Sequence, residues 1–439
     1  MAPAQGGDAA AATTAAATTG GGGAAAPAPA GGLPPPAAAT TAADGASSSS
    51  PTFDLGGGEV LPVPADVAPL FRPLTLGPFR LSNRIVYAPL TRMRAQGFVP
   101  QPIMATYYGQ RAVPGTLFIS EATNISEEAL GYMNSPGVFT REQTEAWRPV
   151  VAAVRGRGAV FFCQLWHCGR ASHSDLQPGG AAPISSSTRR ITSPEYTVFT
   201  QNGAQPYPSP RAATREDIAR IVQQYAAAAK AAVHDAGFDG VEIHGANGYL
   251  IDQFIKDSIN DRTDEYGGSI ENRCRFCLEV VAAVAAAVGP ERVGLRLSPF
   301  TSFLDAHDST PYATHTYLLE KLNGLGLAYI HMVEPRIMGP LEVESHPESL
   351  APFRRVYKGV FIAAGGFKAD SGARALAQGE ADLVAYGRWY LANPDLHRRF
   401  LTHAPLNKYH RDTFYSSGPE GYIDYPTLAQ QREREAIAA

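Results

Sequence analysis

The hydrophobic pattern of the chain changes character near Leu61. Beyond that point, short apolar runs alternate with longer amphipathic ones. The short runs are residues 84–90 (RIVYAPL), 117–122 (LFISEA), 159–166 (AVFFCQLW), 240–245 (GVEIHG), 293–299 (VGLRLSP), 329–335 (YIHMVEP), 360–366 (VFIAAGG) and 382–388 (DLVAYGR). Short, nearly continuous apolar runs of this kind predict strands buried on both faces. Between them, residues 141–158, 215–237, 272–289, 313–326, 349–359 and 370–379 repeat apolar positions at helical spacing, and several of these stretches stop at Gly after Ala or Lys. A glycine there suits a helix C-terminal cap. Strands alternating with helices predict a parallel sheet covered by helices. Eight units favour closure into an α/β TIM (β/α)8 barrel. An open dinucleotide-binding sheet would want a Gly-rich turn after the first strand, whereas this strand runs into Pro89, Leu90, Thr91 and Arg92 with no GxGxxG nearby. One connection, residues 167–214, is long and rich in Ser, Pro and Gly. It is expected to be a capping loop after the third strand, lying over the barrel mouth.

Strand alternation predicts which side chains point inward. On the third strand Phe162, Gln164 and Trp166 share a face; on the fourth, Glu242 and His244; on the fifth, Gly294, Arg296 and Ser298. Barrel enzymes place reacting groups at the C-terminal strand ends, so Gln164, His244 and Arg296 should converge there. Buried polar groups cost several kcal/mol unless paired. A planar heterocycle with carbonyls and ring nitrogens would satisfy an amide and a guanidinium together. The fixed charge of Arg296 would favour a reduced, anionic flavin. An internal ion pair with Glu242 is the alternative for Arg296, and the two are compatible. The fourth strand ends in Gly-Ala-Asn-Gly, and His244, Asn247 and Tyr249 emerge within six positions. Two hydrogen-bonding side chains and a phenol suit a carbonyl and a proton. The same spacing, taken alone, equally fits a structural histidine and an ordinary loop. The seventh and eighth strands end in residues 363–367 (AAGGF) and 385–388 (AYGR). Paired glycines let backbone N–H groups approach a phosphate, and Arg388 adds charge. A single phosphate site without a dinucleotide fingerprint argues for FMN over FAD or a tightly held NAD.

Composition bounds the rest. Residues 1–50 are nearly all Ala, Gly, Pro, Thr and Ser. They have little apolar surface to bury, so residues 1–66 are expected to form a disordered extension, residues 67–428 the barrel and residues 429–439 a charged, flexible tail. No Lys, Arg or His precedes Arg72, which argues against a secretory signal or an arginine-bearing transit peptide. The chain has 37 basic and 41 acidic residues, five of the latter before Arg72. The body is therefore near neutral, which offers nothing to nucleic acid or a membrane surface. No apolar run reaches the roughly 18 residues of a membrane helix. The four cysteines are too sparse for a disulfide scaffold and fit a reducing compartment. Cys274-x-x-Cys277 lacks the second pair that zinc needs, and reads as two packed helix residues. No metal site is expected.

The strand-end motifs also resemble a family. Residues 83–95 (NRIVYAPLTRMRA), 131–140 (GYMNSPGVFT), 161–172 (FFCQLWHCGRAS), 237–273 (GFDGVEIHGANGYLIDQFIKDSINDRTDEYGGSIENR), 294–300 (GLRLSPF), 331–336 (HMVEPR) and 383–396 (LVAYGRWYLANPDL) resemble the old yellow enzyme family of FMN-dependent ene-reductases, and within it the plant 12-oxophytodienoate reductases. The resemblance implies that Pro89, Leu90, Thr91, Ala122 and Gln164 line the flavin ring and that Arg296 sits beside its N1 and C2 carbonyl side. It implies that Gly365, Gly366, Gly387 and Arg388 hold the phosphate. His244 and Asn247 would bind the substrate carbonyl, a position where the family uses His or Asn as the second residue. Tyr249 would be the proton donor. Tyr132 and Tyr415 would border the substrate, and Arg336 would reach a substrate carboxylate or a flavin phosphate. The implied reaction has NADPH reduce the flavin, after which an unsaturated carbonyl compound takes hydride from flavin N5 and a proton from Tyr249. Residues 301–311 (TSFLDAHDSTP) depart from the plant pattern, and the chain ends in Ile-Ala-Ala without a peroxisomal tripeptide. A cytoplasmic monomer or weak homodimer acting on reactive enones is expected, with the plastid the alternative address.

Three other readings are weaker. A 2-hydroxy-acid oxidase would want a histidine base near the seventh strand. An iron–sulfur relative needs cysteines beyond Cys277, and none is present. A dead flavin-binding scaffold would not be expected to keep His244, Asn247, Tyr249 and Arg296 together.

Overall fold

The computed structural model describes residues 51–335, 337–338, 341–342 and 346–438. Arg336 and residues 1–50 lie outside the described residues. The eight expected strands all form: β1 (Ile85–Tyr87), β2 (Leu117–Ile119), β3 (Val160–Trp166), β4 (Gly240–Gly245), β5 (Val293–Leu297), β6 (Tyr329–Val333), β7 (Phe361–Ala364) and β8 (Leu383–Tyr386). They pair in parallel in the order β4-β5-β6-β7-β8-β1-β2-β3, and a β3–β4 pairing closes the barrel.

The alternation read from sequence sorts the side chains into different clusters. Phe161, Cys163, Leu165, Val241, Ile243, Leu295 and Met332 face outward onto the helices. Val86, Leu117, Ile119, Phe162, Tyr329, Ile362 and Leu383 fill the barrel interior. A hairpin of Leu74–Leu76 and Phe79–Leu81 contributes Leu76 and Leu81 to the same interior cluster. Gly294 is needed here, because a Cβ would fall 2.3 Å from the Tyr329 ring.

The helices begin where cap residues allow. Thr140 and Thr214 accept the backbone N–H of Gln143 and Asp217, opening α1 (Arg141–Arg155) and α2 (Arg215–Lys230). Ser269 does the same for Asn272 at the head of α3 (Ile270–Val288). Cys274 and Cys277 lie on α3 as free, buried thiols. A helix at Pro102–Arg111 follows β1, although its hydrophobic pattern is weak in sequence; Pro102 opens it. Among the described residues no helix is long and apolar enough to cross a membrane.

Residues 52–62, counted with the extension in the sequence expectation, form a hairpin of Thr52–Asp54 and Val60–Pro62. Phe53 is the reason. It is buried and packs edge-on to Phe71 at 4.9 Å and against His397. At the other end Leu428–Ala438 is helical, with the Leu428 N–H on the Asp395 carboxylate. Residues 413–421 are held to the body by two arginines. Arg92 donates to the carbonyls of Phe414 and Gly421, and Arg94 to those of Thr413, Phe414, Gly418 and Glu420.

His167, His315 and His397 are buried, and burial holds each down to about 3. The unfolded chain takes a proton on each near pH 6.5, which the folded chain refuses. Their folded values lie below the unfolded ones, so stability is full above about pH 6.5 and is lost as pH falls. The expected loss is about 1.4 kcal/mol per pH unit for each histidine. Urea melts at pH 7 and pH 5 should therefore show a lower midpoint at pH 5; an equal or higher midpoint would contradict the assignment.

Candidate active site

The C-terminal ends of β3, β4 and β5 bring together the residues expected there. His244 stands on β4 beside Arg296 of β5 in register, and Glu242 beside Gln164 of β3. His244 is 4% exposed and its ring stacks on Trp166 at 6.3 Å. Its Nδ1 accepts the backbone N–H of Ala246 at 3.3 Å. A neutral imidazole that accepts at one nitrogen carries its proton on the other, so Nε2 is the donor. Burial first, then the charge of Arg296, holds His244 well below the usual histidine range. The ring is neutral at physiological pH.

The turn after β4 sets the next two side chains. Asn247 has φ 57°, a left-handed conformation that Asn tolerates better than most residues, and its N–H donates to Ser298 Oγ at 2.7 Å. Gly248 follows, with its N–H on the Asp252 carboxylate. Asp252 in turn pairs with the buried Lys256 at 2.9 Å. This buried pair sits in the first turn beyond the site and anchors the loop. Tyr249 then packs edge-on to His244 at 5.1 Å and to Trp166 at 4.9 Å. Its hydroxyl donates to that of Tyr132 at 3.1 Å. Burial, followed by the nearby Cys168, pushes the Tyr249 phenol well above its ordinary value. It therefore holds its proton throughout the physiological range.

The long connection does cap this end. Residues Cys168, Ala171, Ile191, Val198 and Tyr207 pack into one cluster with Ala122, Trp166 and Tyr249. Arg170 fastens the cap, donating to the carbonyls of Arg189 and Leu304. Asp305 accepts from the N–H groups of Thr192 and Ser193 at 2.6 and 3.0 Å. The unusual 301–311 segment is thus tied to the cap. Trp166 was placed on the inward face of the third strand from sequence, whereas the aromatic contributions of Tyr196, Tyr207 and Phe303 were not assigned. Tyr196 and Tyr207, two aromatics in a Ser/Pro/Gly-rich stretch, were the available signal.

The remaining expected residues fall as follows. Pro89, Leu90 and Thr91 leave the end of β1, and Ala122 follows β2, 3% exposed beside Trp166. Gln164 is buried, and its Nε2 donates to Glu242 Oε1 at 2.7 Å. Glu242 Oε2 meets His331 Nδ1 at 2.8 Å. The alternative ion pair of Arg296 with Glu242 is not formed: the carboxylate pairs with His331, and Arg296 acts on it only through its field. The buried Arg296 Nε has no hydrogen-bond partner in the protein. Gly365 and Gly366, at φ 145° and 63°, take backbone conformations that L side chains rarely adopt. Gly387 precedes the short helix Arg388–Ala392, and Arg388 donates to Tyr409 at 3.3 Å. Tyr415 is 64% exposed and its ring stands edge-on to Phe414 at 6.4 Å.

The comparisons with known proteins agree with the barrel fold. The sequence pattern of the NADH:flavin oxidoreductase / NADH oxidase family matches residues 69–407. 12-Oxophytodienoate reductase 2 of Arabidopsis thaliana is 52% identical over 361 residues, covering 82% of this chain and 96% of its own. 12-Oxophytodienoate reductase 1 of Oryza sativa subsp. japonica is 52% identical over 374 residues, or 84% of this chain and 96% of its own. The structure of morphinone reductase in complex with tetrahydroNAD superposes with a TM-score of 0.77 at 45% identity, over 82% of this chain and 97% of that one. The old yellow enzyme homologue from Zymomonas mobilis gives 0.77 at 42% identity, over 82% and 99%. The chain belongs to the old yellow enzyme family of FMN-dependent oxidoreductases. An unpartnered guanidinium nitrogen on β5 and a buried amide on β3, with two consecutive positive-φ glycines at the end of β7, fit that cofactor.

Proposed function

We propose that this protein is an NADPH-driven ene-reductase that saturates the C=C bond of α,β-unsaturated carbonyl compounds, with 12-oxophytodienoate-like enones and related oxylipins as its substrate class. The observation that carries the reading is the triad at the end of β4: a neutral Nε2–H donor on His244, the Asn247 amide three residues on, and a phenol on Tyr249 that keeps its proton. Pro89, Leu90, Thr91, Ala122, Gln164 and Arg296 would hold the FMN ring, and Gly365, Gly366, Gly387 and Arg388 its phosphate. FMN, when bound, supplies the hydride chemistry that no side chain can.

The chain's own residues do the rest. His244 and Asn247 donate hydrogen bonds to the substrate carbonyl oxygen. Those bonds are worth most when negative charge develops on that oxygen, and this draws electron density from the β-carbon. Donation from a neutral imidazole adds no ionised group to a buried site, where a charge would be costly. Tyr249 gives its proton to the α-carbon; a phenol of raised pKa suits an acid rather than a base. The aromatic cap over Tyr249 keeps water from the reacting carbon. Tyr132 and Tyr415 would border the substrate, and Arg336 would reach its carboxylate or a flavin phosphate.

The purified protein should be yellow, lose its colour with NADPH in the absence of oxygen, and regain it on addition of an enone. A panel that includes both isomers of 12-oxophytodienoate would define the preferred substrate. Protein that takes up no FMN, or reduced protein that no enone reoxidises, would overturn the reading.

A further inference from the structure

Below the site lies a carboxylate that the proposed reaction does not use. Glu242 is fully buried, with Oε1 on Gln164 Nε2 at 2.7 Å and Oε2 on His331 Nδ1 at 2.8 Å. An ionised carboxylate can only accept hydrogen bonds. The Gln164 amide must therefore turn its NH2 toward Glu242, which leaves its oxygen as the end available to a ligand. His331 must likewise carry its proton on Nδ1, and its buried Nε2 has no partner in the protein. Burial alone would drive Glu242 toward its neutral form, but His331, Arg296 and Gln164 together hold it below the ordinary carboxylate range. Arg296 stands opposite both His244 and His331 in strand register. The site thus holds one guanidinium with an open nitrogen and, one residue pair deeper, one carboxylate whose charge opposes it.

We propose that Glu242 is a positioning residue for the flavin: it fixes the Gln164 amide with its oxygen toward the cofactor, and its charge offsets that of Arg296 and so lowers the reduction potential of bound FMN. The inference rests on the FMN-binding reading above. The two roles separate by substitution. Glu242→Gln keeps the shape and an acceptor for Gln164, while its amide can donate to His331 once the imidazole proton moves to Nε2. The charge is lost and the His331 tautomer changes, while both hydrogen bonds are kept. Glu242→Met removes both acceptors and frees the Gln164 amide.

The test titrates FMN into wild type, Glu242→Gln and Glu242→Met, following flavin fluorescence. The midpoint potential of the bound flavin is then measured anaerobically against reference dyes. Glu242→Gln should bind FMN as wild type does while its potential rises. A tenfold shift of the reduction equilibrium toward the reduced form corresponds to about 30 mV for a two-electron couple. Glu242→Met should lose at least tenfold in FMN affinity. That loss should not add to the loss from Gln164→Met in the double variant, because both act through one amide. An unchanged or lowered potential in Glu242→Gln overturns the charge role, and it decides that question even if Glu242→Met does not fold. Wild-type affinity in Glu242→Met, or full additivity with Gln164→Met, overturns the positioning role. Wild-type protein that binds no FMN would instead reject the FMN reading itself, so the two failures are distinguishable.

Discussion

Replacing Tyr249 with Phe is expected to leave reduction by NADPH nearly unchanged and to slow enone-dependent reoxidation by roughly 10²- to 10⁴-fold, the range of a positioned general acid. The substitution removes one oxygen and keeps the ring. The edge-on contacts of that ring with Trp166 and His244 should persist, so the cap cluster stays packed. What disappears is the proton that burial holds on the phenol. The hydroxyl of Tyr132, 3.1 Å from that of Tyr249, is one hydrogen bond further from the position proposed for the substrate. Stopped-flow measurement of each half-reaction checks the expectation. Equal slowing of the two halves would assign Tyr249 to packing rather than to proton transfer.

The second large effect is expected at His244. Its replacement by Ala should abolish the charge-transfer band that a bound phenol gives with the flavin, and should slow enone reduction by roughly 10²- to 10³-fold, the value of one oxyanion donor. The effect follows from the tautomer. The Ala246 N–H occupies Nδ1, so the only proton the ring has to offer is on Nε2. Because burial and Arg296 hold the imidazole neutral, ligand affinity should show no histidine step between about pH 5 and 8, the window in which an ordinary histidine titrates. A normal phenol band in His244→Ala, or a titration step near pH 6.5 that disappears in this variant, would count against the role.

The two predictions share a source, the run from Phe238 to Tyr249, and it shows how much was legible beforehand. Alternation of Val241 and Ile243 with Glu242 and His244 marks one face as apolar and the other as polar, and the structure keeps that division. The strand count worked for the same reason. Parallel strands buried on both faces leave an apolar signature too strong to mistake. Helix starts at Thr140, Thr214 and Ser269 follow from local capping chemistry, which needs no tertiary partner. The helix at Pro102–Arg111 was less visible because its buried face is made of Met104, Tyr107, Tyr108 and Arg111, a mixture with little hydrophobic contrast. The hairpin at Thr52–Asp54 was hidden for another reason. One buried phenylalanine holds it, and its burial depends on Phe71 and His397, distant in sequence.

The order of apolar and polar residues was enough for eight strands and for their inward faces, with Gln164, His244 and Arg296 at one end of the barrel. These are properties of neighbours in the chain and of a repeating geometry. Which partner each polar group takes was settled by folding. Glu242 pairs with His331, two strands away, rather than with Arg296, and the Arg296 Nε is left open. The cap is fastened to the 301–311 segment by Arg170 and Asp305, more than a hundred residues apart. Pairings of this kind depend on distances and dielectric surroundings that exist only once the barrel has closed. The sequence placed the charges on the same end of the barrel, and burial in three dimensions chose among their partners.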